Sequence, residues 1–171
     1  SRNCPVAFNT LSVLGLGYVG LPTAAVFASR GIDVLGVDTN AAVVEKINRG
    51  EVHIVEPDLD KIVHDAVAEG KLRAATEPEP AEAFIIAVPT PCTDGNKHDR
   101  GDGMAAAESL ARVLKAGDLI VVESTVPVGS NRAVSERLSE LCPGLSFPNH
   151  SEDADIHIAN STERVRPGRV I

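Results

Sequence analysis

The glycine spacing at Gly15, Gly17 and Gly20 constrains this chain more than any other feature. It follows an apolar run, so residues 11–20 read L-S-V-L-G-L-G-Y-V-G. A G-x-G-x-x-G turn between a strand and a helix can seat a pyrophosphate against the helix N-terminus. The first glycine permits the tight turn, the second lets backbone approach the phosphates, and the third lets the helix pack close to the sheet. Glycines alone would also suit a plain strand-to-helix turn, so the context has to decide. A helical pattern follows from Tyr18 to Ser29, with Pro22 tolerated in the first turns. A second apolar run, Ile32–Val37, then ends in Asp38, 18 positions beyond Gly20. That is close to the spacing of an acid that holds the adenosine ribose. No Arg or Lys follows at positions 39–42 to hold a 2′-phosphate, so NAD is favoured over NADP. A bland alternative for Asp38 is an N-cap on the next helix.

The rest of the chain alternates strand and helix signals. Strands are expected at Leu11–Leu14, Ile32–Val37, Lys71–Ala75, Ala83–Val88, Leu119–Val122 and Asp155–Ala159. Helices are expected at Asn40–Asn48, Pro57–Ala68, Met104–Leu114 and Gly129–Leu141, with Pro91–Gly103 as loop. The run A-F-I-I-A-V from Ala83 is continuously apolar, as a parallel strand buried on both faces requires. Such alternation implies an α/β fold of the Rossmann type. It is a doubly wound parallel sheet of order 3-2-1-4-5-6 with helices on both faces, filling residues 1–171 as one domain.

Composition excludes several function classes. Hydrophobic residues make up 43% of the 171, enough to bury a core, yet no apolar stretch nears a membrane span, and no secretory signal is evident. The formal charge of −8 opposes binding to nucleic acid or an anionic membrane, and its simplest role is solubility. Cys4, Cys92 and Cys142 are odd in number and far apart, without a C-x-x-C pair. The five histidines form no metal motif. No metal site and no disulfide framework is expected, and a reducing cytoplasm is the expected compartment.

Ligands in such sheets sit beyond the carboxyl ends of the strands. Strand four runs into Val88-Pro89-Thr90-Pro91, where Thr90 offers a hydroxyl or merely belongs to a loop. Strand five runs into Glu123-Ser124-Thr125, whose hydroxyls could face the nicotinamide or cap the next helix. Glu163, between Thr162 and Arg164, would by itself be read as a surface acid.

Six segments together carry a resemblance. They are G-L-G-Y-V-G-L-P at 15–22, G-V-D-T-N at 36–40, I-N-R-G-E-V-H-I-V-E-P-D-L at 47–59, A-V-P-T-P at 87–91, E-S-T-V-P-V-G at 123–129 and E-R-V-R-P-G at 163–168. The chain resembles the N-terminal domain of the UDP-glucose/GDP-mannose dehydrogenase family. Within it, the text is most like the branch that acts on UDP-N-acetylmannosamine.

The resemblance implies a two-step oxidation of a UDP-sugar primary alcohol to the uronate, reducing two NAD+. In the family a cysteine holds the aldehyde as a thiohemiacetal between the two hydride transfers. It also implies that Gly15, Gly17, Tyr18, Val19, Gly20, Asp38, Thr90 and Thr125 contact the cofactor. Thr125 would orient a catalytic water, and Glu163 would do acid/base work. Glu163, Arg164 and Val165 would contact the sugar nucleotide. The family's G-G-x-C segment and the lysine and asparagine of its central helix are absent from these residues. The chain alone is therefore expected to be incomplete for turnover, and the homodimer of the longer protein is expected to form mainly through that helix. Ser161-Thr162 stands where the family usually has Cys-Pro, and about one turn of helix is expected to be missing between Ser109 and Val113. Cys92 lacks any neighbour that would activate it. Two rival readings are a non-catalytic NAD-sensing module and a fragment of a β-hydroxyacid-type dehydrogenase.

Overall fold

The computed structural model describes residues 8–88, 102–123, 130–148 and 152–161. Its centre is a six-stranded sheet of order β3-β2-β1-β4-β5-β6, every pair parallel. The strands are β1 (Thr10–Leu14), β2 (Asp33–Val37), β3 (Leu72–Ala75), β4 (Ala83–Ile86), β5 (Leu119–Glu123) and β6 (His157–Ser161). The helices are α1 (Gly20–Ser29), α2 (Ala41–Asn48), α3 (Leu59–Ala68), α4 (Asp102–Ser109) and α5 (Ser130–Leu141). This is the doubly wound order expected from the sequence.

Side chains alternate across each strand, so each face of the sheet needs its own cover. Leu11 and Val13 of β1 join residues of α1, α2 and α3 in one apolar cluster. Leu14 of the same strand joins residues of α4 and α5 in a second cluster on the opposite face. Phe84 and Ile86 of β4 belong to that second cluster, while Ala83 and Ile85 belong to the first. A strand apolar at every position is thus explained by two cores.

Several boundaries differ from expectation by a few residues. The first helix begins at Gly20, two residues later than expected, because Tyr18 and Val19 complete the glycine turn. The third begins at Leu59, with Pro57 outside it and Asp58 left-handed at φ 62°. Residues 102 and 103, expected as loop, start α4, and the helix expected through Leu114 stops at Ser109. It tightens into a 3-10 turn, Leu110–Arg112. The last strand starts two residues late because Asp155 is tied to Ser146. Its Oδ2 accepts from the Ser146 N–H at 3.0 Å, and its own N–H donates to Ser146 Oγ at 2.8 Å.

β3 is one edge of the sheet, and it is not left open. The Asn48 amide accepts from the Ala74 N–H at 2.8 Å and donates to the Ala74 carbonyl at 3.0 Å. Cys142 is buried at the end of α5, its Sγ 3.3 Å from the Ala111 carbonyl, and burial pushes its thiol pKa up. Cys4 and Cys92 lie outside the described residues. Among the described residues, no helix is long and apolar enough to cross a membrane, and no cluster of acids, histidines and cysteines could hold a metal.

Candidate nucleotide site

β1 lies where the chain order reverses, with β2 on one side and β4 on the other. Crossovers diverge there and leave a crevice beyond the carboxyl ends of the strands. The glycine turn fills its floor. Gly15 takes φ +95° and its N–H donates to the Val37 carbonyl at 2.8 Å. Leu16 is fully buried and anchors the turn, its side chain lying over Gly36 of β2. A Cβ at Gly36 would come within 2.8 Å of Leu16 Cδ2, so this glycine makes the seat for the turn. Sequence reading missed Gly36. Its signal is a glycine inside an apolar strand, which marks a close approach.

Gly20 starts α1 pressed against the end of β1. A Cβ there would lie 1.7 Å from the Gly15 carbonyl oxygen and 3.2 Å from the Ala87 side chain. A Cβ at Gly17, by contrast, would meet nothing within 4 Å. The turn is therefore closed on its sheet side and open on its outer side. Tyr18 stands at the tip, 56% exposed. The N-cap residue Val19 makes no side-chain cap, and no acid occupies the first turn of α1. Leu21 N–H donates to the Gly17 carbonyl at 3.1 Å and Pro22 has no N–H, so the donors left at the positive end of the helix dipole are those of the glycine turn itself, Gly17 to Gly20, the arrangement that suits an anion.

Asp38 leaves β2 beside this turn. Its Oδ2 accepts from the Leu16 N–H at 3.1 Å, and its Oδ1 accepts from the Asn40 N–H at 2.9 Å. The capping role allowed for Asp38 belongs to Asn40, whose Oδ1 accepts from the Ala42 N–H at 3.0 Å. Each carboxylate oxygen has a further lone-pair direction, so Asp38 can accept two more hydrogen bonds, as a ribose diol offers. The turn's free N–H groups, its open outer side and this carboxylate together fit a dinucleotide.

A cavity of about 660 Å³ opens beside Gly15 and Asp38, a size ordinary for a small ligand. Thr76, Glu77 and Pro78, just after β3, form one wall. Ser109, which ends α4, and Arg112 and Val113 after it form another. Sequence reading applied the carboxyl-end rule to the first, second, fourth, fifth and sixth strands. Applied to β3, the same rule points to Thr76–Pro78. Across the crevice, Thr23 Oγ1 of α1 donates to Glu123 Oε2 at 3.4 Å, bringing the end of β5 toward α1. Of the expected site residues, Gly15, Gly17, Tyr18, Val19, Gly20 and Asp38 come together here. Thr90, Thr125, Glu163, Arg164 and Val165 lie outside the described residues.

Known proteins converge on this arrangement. The NDP-N-acetyl-D-galactosaminuronic acid dehydrogenase of Ralstonia nicotianae is 54% identical over 99% of this chain and 40% of its own length. The UDP-N-acetyl-D-mannosamine dehydrogenase of Yersinia pestis is 55% identical over 97% of this chain and 40% of its own length. The solved UDP-D-ManNAc dehydrogenase of Pyrococcus horikoshii superposes with a TM-score of 0.81 at 36% identity. That alignment covers 94% of this chain and 38% of the other. The chain thus spans about two fifths of the length of the relatives it matches. The sequence model of one family matches residues 9–171, and on that match the chain belongs to the UDP-glucose/GDP-mannose dehydrogenase family, within its NAD binding domain.

Proposed function

We propose that this chain is the cofactor-holding part of an NAD-dependent nucleotide-sugar 6-dehydrogenase. In the longer protein, the reaction would oxidise the primary alcohol of UDP-N-acetylmannosamine to the uronate. The observation that carries the reading is the Leu16 N–H bond to Asp38, which holds a carboxylate against the glycine turn. NAD+, when bound, supplies a hydride acceptor. This chain's part is to seat it: N–H groups of the glycine turn at the start of α1 take the pyrophosphate, and Asp38 takes the adenosine ribose. Gly15, Gly17, Tyr18, Val19, Gly20, Thr90 and Thr125 complete the cofactor contacts in this reading. Thr125 also orients a water, Glu163 moves protons, and Glu163, Arg164 and Val165 contact the sugar nucleotide. A homodimer in the cytoplasm is part of the same reading.

The R. nicotianae relative favours a second sugar, since its name gives N-acetylgalactosaminuronic acid. Calorimetric titration of the chain with NAD+ tests the core of the reading. Binding is expected for the unaltered chain and loss of binding for Asp38→Ala, and the absence of heat at millimolar NAD+ would overturn it. NADH formation by the longer protein, with UDP-N-acetylmannosamine and UDP-N-acetylgalactosamine compared, decides the sugar. Robust turnover by residues 1–171 alone would overturn their assignment as the cofactor-holding part only.

A further inference from the structure

The cavity beside Asp38 is lined by two carboxylates, Asp38 and Glu77, and by a single cation among the described residues, Arg112. Arg112 ends the 3-10 turn after α4 and its side chain is exposed. It has no hydrogen-bond or ion-pair partner among the described residues. Glu108, one helical turn earlier, would be its ordinary partner. Arg137 of α5 already holds Glu108, with Nε 2.8 Å from Oε1. Both Asp38 oxygens in turn accept backbone N–H groups of Leu16 and Asn40. The guanidinium is thus left at the cavity wall with its flat face uncommitted. Leu14, Val37, Val88 and Val113 give the same cavity an apolar lining.

From this placement we infer that Arg112 stacks on the adenine ring of the bound dinucleotide and sets affinity for the adenosine half. The inference rests on the NAD reading above. A neutral, planar, electron-rich heterocycle suits this enclosure: apolar side chains take one face and a guanidinium plane the other. A 2′-phosphate does not, because Asp38 would lie beside it.

The test is calorimetric titration of the unaltered chain, Arg112→Ala and Arg112→Lys with NAD+, ADP-ribose and NADP+, alongside thermal melts without ligand. Arg112→Ala should weaken NAD+ and ADP-ribose binding alike, by about three- to tenfold. Its melting temperature should stay unchanged, because the side chain is exposed and unpartnered. Arg112→Lys should not restore affinity, since a point charge lacks the stacking plane. Full rescue by lysine, or a loss confined to NADP+, would overturn stacking in favour of simple charge attraction. Unchanged NAD+ binding in Arg112→Ala would overturn the Arg112 assignment alone, whereas failure of the unaltered chain to bind NAD+ and ADP-ribose would overturn the cofactor reading and this inference together.

Discussion

Two glycines three residues apart separate folding from binding. At Gly20 an added methyl would fall 1.7 Å from a carbonyl oxygen of the rigid turn, so the helix or the strand end must move. Gly20→Ala is expected to destabilise the chain by at least about 2 kcal/mol in urea titration. At Gly17 an added methyl meets nothing within 4 Å, so Gly17→Ala should stay within about 0.5 kcal/mol of the original. It should nonetheless weaken NAD+ binding, because the methyl occupies the open side where phosphates would approach. Equal NAD+ affinity in Gly17→Ala would show that the pyrophosphate does not lie on that side. Asp58 offers the reverse case, being the one non-glycine residue with positive φ among those described. Left-handed backbone strains a residue with a Cβ, and the side chain makes no capping bond. Asp58→Gly should raise stability by about 0.5–1 kcal/mol, read as a shift in urea midpoint.

Among the elements, β3 depends on a side chain from another segment. Asn48 answers both backbone groups of Ala74, which faces away from β2. Asn48→Ala removes both bonds at a buried backbone position, and a loss of about 1–2 kcal/mol is expected by chemical denaturation. The helices show where sequence reading succeeds and where it stops. Apolar periodicity located all six strands and the five helices, because burial on two faces imprints itself on composition locally. It misplaced ends of α1, α3, α4 and β6, because local backbone turns and single bonds rather than periodicity decide where an element stops. Asp155 is held by Ser146, and neither residue advertises the other in sequence. The same limit applies to the site. The glycine turn and Asp38 follow a known spacing and were legible. The walls at Thr76–Pro78 and Ser109–Val113 come from segments that meet only when β3, β4 and α4 are assembled, and periodicity carries no record of that meeting.

At the scale of the molecule, pH acts through a buried acid at the foot of β5. Asp118 is 1% exposed; burial raises its carboxyl pKa above the ordinary aspartate range, although Lys115 beside it works the other way. The folded chain therefore binds this proton more readily than the unfolded chain. Its contribution to stability is greatest at low pH and declines as pH rises from the ordinary value of 3.8 through the raised one. Glu79, held low by Arg73, acts in the opposite sense, losing its contribution as pH falls. Both side chains of that pair are half exposed, so its share is small. Asp118→Asn keeps an acceptor for the Lys115 N–H and removes the titration. Its melting temperature should gain on that of the unaltered chain as pH rises through the acid range, and parallel curves would refute the linkage. The Asn48 clamp has a consequence beyond stability. A neighbouring molecule that tried to add a strand outside Ala74 would find its donor and acceptor already engaged, so crowded solutions gain no template for fibre growth at that position.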